Sequence, residues 1–151
     1  MTEITLRPVT DENRAELEAL RVSENQENFV SGVADSLEEA RLEPDGRGVA
    51  WGIYDGAVPV GFVMVSDGAT APGYFPNFLW KLLIDERYQR RGYGTATLDQ
   101  VVRYFRARGV DVLWTSAGVG DGTPQPFYER YGFASMGVLL FDDEMLLRLE
   151  L

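Results

Sequence analysis

The chain contains no cysteine and no histidine. Disulfides, thiolate nucleophiles and imidazole bases are therefore excluded, as are zinc sites built from the usual nitrogen and sulfur ligands, and no metal is expected. Long apolar stretches are missing too. No run approaches the ~18 residues of a membrane span, and Met1-Thr2-Glu3-Ile4-Thr5 lacks a basic segment followed by an apolar core. A cytoplasmic protein that does not associate with membranes is expected. Positive charge is scarce, with 14 Lys and Arg against 24 Asp and Glu and a net charge of −10. Nucleic-acid surfaces need clustered cations to displace counterions, so no nucleic-acid partner is expected and cationic partners are favoured.

What is present fits one globular domain over residues 1–151: 45% of residues are hydrophobic and 25% charged, with no repeat, linker or low-complexity tract. The negative charge is uneven, since Met1 to Glu43 carry 11 acidic against 4 basic residues and the remainder 13 against 10. Glu3 to Pro8 alternates like a half-buried strand, with Ile4 and Leu6 on one face. Thr10 or Asp11 can cap a helix carrying Leu17, Leu20 and Val22. Ser23 to Val30 suggests a second short helix, and Ser36-Leu37-Glu38-Glu39 reads as a capping box opening another.

Val49 to Tyr54 and Val58 to Asp67 form a hairpin around Asp55-Gly56. The apolar run Phe78 to Ile84 suits a strand buried on both faces. A helix follows through Arg108, with Ala96, Leu98, Val101, Val102 and Phe105 at helical spacing and Gly109 at its end. Val110 to Thr115 is a strand, and Pro124 starts a short helix closed by Gly132. Phe133 to Phe141 and Glu144 to Leu151 complete a mixed α/β domain.

Between the strand at Phe78 to Ile84 and the long helix lies Gln89-Arg90-Arg91-Gly92-Tyr93-Gly94. Gly92 and Gly94 let the backbone take positive φ and approach a ligand closely, while the helix aims its unpaired N–H groups and dipole at negative charge. The segment can cradle a pyrophosphate, or be a plain turn. No Gly-Lys-Ser/Thr follows Gly94, so it is not a Walker loop. The dinucleotide fingerprint fails because Ala96 or Thr97 stands where a third glycine belongs.

The chain resembles the GNAT superfamily of N-acetyltransferases. Gln89, Gly92 and Gly94 match its signature of Gln or Arg, two residues, Gly, one residue, then Gly or Ala. Leu82-Leu83-Ile84-Asp85 stands at its central strand, and Phe127-Tyr128-Glu129-Arg130-Tyr131-Gly132-Phe133 is similar to its second motif. Ser23-Glu24-Asn25-Gln26-Glu27-Asn28-Phe29-Val30 and Leu79-Trp80-Lys81-Leu82 narrow the likeness to bacterial spermine and spermidine acetyltransferases.

The resemblance implies a largely antiparallel sheet of six to seven strands, flanked by about four helices, with a splayed central parallel pair. It implies acetyl-CoA as acetyl donor, direct transfer to a primary amine that is a polyamine, and a homodimer. It assigns acetyl-CoA contacts to Leu82, Leu83 and Ile84 and to Gln89, Arg90, Arg91, Gly92, Tyr93, Gly94 and Thr95, with the Leu82 amide polarising the thioester carbonyl. Tyr128 takes the role of general acid. The carboxylate base common in relatives is replaced by Phe78, which leaves Glu24 or Glu27 to accept the amine's proton. Glu24, Glu27, Asp35 and Glu38 could bind a polyamine together, and Trp80 could add a cation–π contact or fill the core.

Asp121 and Pro124 depart from the family pattern ahead of Tyr128 and put one pantetheine contact in doubt. The other readings are acetylation of an amine-bearing antibiotic or a peptide amine, and a CoA-binding sensor without turnover.

Overall fold

The computed structural model describes residues 3–27, 29 and 31–151. Seven strands form one sheet: β1 (Thr5–Pro8), β2 (Gly48–Asp55), β3 (Val58–Asp67), β4 (Asn77–Ile84), β5 (Val112–Gly118), β6 (Ala134–Leu140) and β7 (Glu144–Glu150). Their order is β1-β2-β3-β4-β5-β7-β6. Every neighbouring pair is antiparallel except β4 and β5. Among the described residues there are four α-helices: α1 (Arg14–Glu18), α2 (Val33–Leu42), α3 (Tyr93–Ala107) and α4 (Gln125–Tyr131). The mixed α/β fold expected from the resemblance is the one observed.

The sheet carries a core on each face. Helix α3 turns Leu98, Val101 and Phe105 onto Ile53, Val63, Val65, Leu79 and Leu113, and Tyr128 and Phe133 join the same cluster. On the other face Leu17, Leu20, Val22 and Val33 cover Tyr54, Phe62, Met64 and Leu83. Gly61 is required where β3 passes β4, because a Cβ there would stand 2.4 Å from the Leu83 carbonyl oxygen. The far end of α3 is tied to β3 through Asp67, which accepts hydrogen bonds from Tyr104 Oη (2.6 Å) and Arg108 Nε (3.1 Å).

Several local expectations are corrected. Helix α1 starts at Arg14 rather than after Thr10 or Asp11, because Asn13 Oδ1 accepts the Thr10 amide at 2.8 Å and its Nδ2 donates to Pro8 O at 3.0 Å, which holds 10–13 as a turn. Leu20 and Val22 lie beyond this helix and are buried all the same. Ser36 caps nothing: α2 begins after Gly32, and Ser36 sits inside it, buried, donating its hydroxyl to Gly32 O at 2.8 Å. Of the helix expected over Ser23 to Val30, a 3-10 turn at Glu24–Gln26 is observed, and Asn28 and Val30 lie outside the described residues.

Strand β5 runs past Thr115 to Gly118. Strand β4 is not buried on both faces. Leu79 and Leu83 are, but Phe78, Trp80, Lys81 and Leu82 are half-buried, because the sheet opens beside them.

Candidate active site at the split between β4 and β5

The parallel strands β4 and β5 pair only at Phe78–Trp114 and Leu79–Thr115. Thr115 Oγ1 donates to the Leu79 carbonyl at 2.9 Å and closes the apex of the split. Beyond it β4 follows β3 and β5 follows β7. A bulge lies at this point, since Val65 pairs with Leu79 and Met64 with Lys81, leaving Trp80 as the extra residue. Bulges interrupt the alternation of faces. Leu79 and Leu82 both pack into the core under α3, while Trp80 packs against the opposite core. Leu82 thus follows directly on the bulged pair, at the edge of the opening.

A cleft of about 540 Å³ fills the split on the α3 side. Leu82 and Ile84 line its β4 wall, and the start of α4 lines the other with Pro124, Phe127 and Tyr128. Its end is the turn from Tyr88 to Thr95, from which Gln89, Arg90, Gly92, Tyr93, Gly94 and Thr95 face the cavity.

This turn is held from below. Asp85, 2% exposed, accepts from Arg21 N (2.9 Å), Arg87 N (3.0 Å) and Arg87 Nε (2.8 Å). Burial works against its charge, but the Arg87 guanidinium and the two amides prevail and hold its carboxyl below the usual carboxylate range. Gln89 Nε2 donates to Ile84 O (2.9 Å) and to Gln26 Oε1 (2.7 Å), joining the turn to β4 and to the 3-10 turn at Glu24–Gln26.

Arg90 and Gly92 take positive φ, 63° and 85°, and Gly92 is the residue from which α3 starts. Two left-handed residues two apart turn the chain sharply enough to leave the first amides of α3 directed outward, without intrahelical acceptors. No acidic residue occupies the first turn of α3. Gly94 is needed for another reason: a Cβ there would lie 3.0 Å from the Phe127 ring, so its absence lets α4 approach. Backbone donors at a helix N-terminus, a basic side chain and no nearby carboxylate in that turn suit a diphosphate.

On α4, Tyr128 is 6% exposed, with its ring against Phe127 (5.3 Å between centroids) and edge-on to Phe133 (5.5 Å). Burial pushes its phenol well above the ordinary value, so it stays protonated. Its hydroxyl has no hydrogen-bonding partner among the described residues. Thr123 secures the start of α4, its hydroxyl donating to Gly118 O and accepting the Gln125 amide at 3.2 Å. Pro124 lines the cleft and Asp121 is exposed.

Other residues singled out in the sequence lie elsewhere. Leu83 points into the opposite core. Arg91 is exposed, its guanidinium 5.7 Å over the Tyr88 ring. Asp35 and Glu38 are exposed on α2, and Glu38 pairs with Arg41 at 2.6 Å. Glu24 lines none of the three cavities described here. Trp80 lines a second cavity of about 260 Å³ and donates Nε1–H to Glu39 Oε1 at 3.0 Å. Glu27 lines a third, about 280 Å³, which shares Phe29 with the main cleft and Lys81 and Glu144 with the second.

Gln26, Phe29, Glu39, Asp143 and Glu144 line these cavities though the sequence singled none of them out for a site role, Gln26, Phe29 and Glu39 appearing only inside longer motifs. One signal was available: Lys81 interrupts the apolar run of β4, and a charge there marks an opening to water.

Residues 14–133 match the acetyltransferase (GNAT) family. The chain belongs to that family. It is an acyltransferase with acetyl-CoA as acetyl donor, and the outward amides at Gly92 and α3, with Arg90 beside them, fit the diphosphate of that molecule. Among the described residues no cluster of three or more His, Cys, Asp or Glu could hold a metal.

This acetyltransferase is 29% identical to the spermine/spermidine N(1)-acetyltransferase of Bacillus subtilis, over 98% of this chain and 99% of the relative. It is 33% identical to the ribosomal protein bS18-alanine N-acetyltransferase of Escherichia coli, over only 36% of this chain and 37% of that one. Its fold is shared with a GNAT-family acetyltransferase from Desulfovibrio desulfuricans (TM-score 0.74, 23% identity, 98% of this chain and 99% of that one). It is also shared with a Bacillus subtilis acetyltransferase in complex with CoA (TM-score 0.68, 16% identity, 98% and 97%).

Proposed function

We propose that this acetyltransferase moves the acetyl group directly to a primary amine of a polyamine such as spermidine or spermine, with no covalent enzyme intermediate. One observation carries the choice of substrate. On the sheet face opposite α3 the second and third cavities adjoin, and Glu27, Glu39, Glu43, Asp143 and Glu144 line them. Several carboxylates along a partly enclosed passage attract a chain of ammonium groups more strongly than isolated surface acids do. The name of the Bacillus subtilis relative supports the same substrate class.

Acetyl-CoA, when bound, supplies an activated acetyl group as a thioester. The amides between Gln89 and Thr95 bind its diphosphate, and Ile84 serves the pantetheine arm. The Leu82 amide donates towards the carbonyl oxygen on which negative charge develops during attack. Tyr128 holds the proton that the departing sulfur takes. The attacking amine must first lose its own proton, because a group with an ordinary pKa near ~10.4 is almost fully charged at neutral pH. In this reading Glu27, which lines the third cavity, accepts it directly or through water, and Glu24, which lines none of the three cavities, does not.

A cytoplasmic homodimer belongs to the same reading. Strand β6 and the turn after it expose Met136, Val138, Leu139 and Phe141 along one sheet edge.

Thiol release measured with spermidine, spermine, an aminoglycoside and a lysyl peptide tests the substrate class. Turnover is expected to be highest with the two polyamines. Indifference to both removes the assignment.

A further inference from the structure

We propose that Lys81 is a specificity-determining residue: an ammonium group carried by the enzyme itself, which fills one cationic place in the acceptor passage and limits the charge an incoming amine can bring. The inference rests on the polyamine reading of that passage. Lys81 is the only lysine in the chain, the other 13 basic residues being arginine. The bulge at Trp80 breaks the alternation that would otherwise hold, and Lys81 lines both the second and the third cavity. Its Nζ lies 3.0 Å from Glu39 Oε2 and 3.4 Å from Ser31 Oγ, with the side chain 17% exposed. Trp80 Nε1 occupies the other oxygen of the same carboxylate. Among the described residues no other basic side chain lines either cavity.

A carboxylate, a hydroxyl and a neighbouring indole around a primary alkylammonium form the kind of surroundings a polyamine end would need. Anchoring of α2 to β4 alone does not account for the residue type. Arginine, used at every other basic position in this chain, grips a carboxylate with a planar fork, whereas lysine offers a compact point charge on a flexible stem. Here that charge occupies Glu39 and repels a second ammonium entering beside it. Its removal frees one carboxylate and lifts one repulsion, and both effects grow with the number of charges on the substrate.

The test is the ratio of kcat/KM for spermine to that for a monoamine, with putrescine and spermidine between them, in the wild type, Lys81→Met and Lys81→Arg. Lys81→Met is expected to raise the ratio about tenfold, the size of one partly screened charge contact. The change should be carried by KM and shrink in high salt, and Lys81→Arg should restore the wild-type ratio. Glu39→Gln keeps a partner for Trp80 but loses the charge, so it should lower the ratio. This second variant keeps the question open to measurement if Lys81→Met does not fold.

A Lys81→Met enzyme that acetylates the whole series with an unchanged or reduced ratio makes Lys81 a structural anchor and overturns the proposal, while wild-type turnover of polyamines leaves the substrate class standing. A wild type inactive on every di- and polyamine removes both.

Discussion

Tyr128→Phe removes one oxygen atom from a side chain that is 6% exposed and otherwise held by the rings of Phe127 and Phe133. Those ring contacts survive the change. The hydroxyl has no partner among the described residues, so no hydrogen bond is lost, and stability should stay within ~0.5 kcal/mol of the wild type. For a domain of this size that corresponds to a shift in Tm of no more than ~2 °C.

With Tyr128 as the proposed general acid, the effect on rate is of another order. A positioned general acid contributes about 10²- to 10⁴-fold. Burial makes this phenol a weaker acid than usual, which places it at the lower end, about 10²-fold in kcat or ~2.7 kcal/mol. Thiol release at saturating amine measures the loss, and calorimetric titration with CoA is expected to show unchanged affinity. The same upward shift predicts that wild-type kcat does not decline between pH ~8 and ~10, since the phenol keeps its proton there. A variant within threefold of wild-type kcat would falsify the acid assignment. A rate loss explained by weaker CoA binding would make Tyr128 a packing residue.

Two further substitutions probe the cradle and its support. Gly92→Ala imposes a Cβ on backbone at φ 85°, which costs ~1–2 kcal/mol and lowers Tm by roughly 2–8 °C; CoA affinity should fall as well, and an unaltered dissociation constant by calorimetry would show that the diphosphate sits elsewhere. Asp85→Asn leaves one acceptor oxygen for donors from Arg21 and Arg87 and should cost ~1.5–3 kcal/mol at neutral pH. Because the folded-state pKa of Asp85 is depressed, its stabilisation is complete above the ordinary carboxylate range and is lost as pH falls through the folded value. Urea unfolding should therefore show wild type and variant converging below pH ~4, and a constant difference down to pH ~2 would contradict the charge-based account.

The sequence was most legible where backbone chemistry is local. Gly92, Gly109, Asp55-Gly56 and Gly132 each mark a turn or helix end that the structure contains, because positive φ is demanded at those residues themselves. The sharp turn ahead of α3 was readable for the same reason. The capping box at Ser36 misled because a Ser with Glu three residues on satisfies the pattern anywhere, whereas burial of Val33 against the second core fixed where the helix begins.

The passage proposed for the acceptor was scarcely legible. Glu27 after a 3-10 turn, Glu39 on α2, Asp143 in the turn before β7 and Glu144 on β7 come together only in the tertiary structure, and beyond the charge of Lys81 nothing in the run around Trp80 marks the bulge. Without that bulge, Lys81 would have been read by simple alternation.

The two-pair seam between β4 and β5 divides the sheet into banks of four and three strands, each with its own continuous ladder. Parting them there breaks few backbone bonds, so the seam is where the two banks can separate locally in the free enzyme, bridged on the α3 side by the core that this helix shares with both. A molecule that bonds both edges replaces the missing rungs. With the donor seated in the split as proposed, its binding would couple the two banks, and amide hydrogen exchange should then slow on β5 and β7 together with β4, far beyond the atoms the ligand touches.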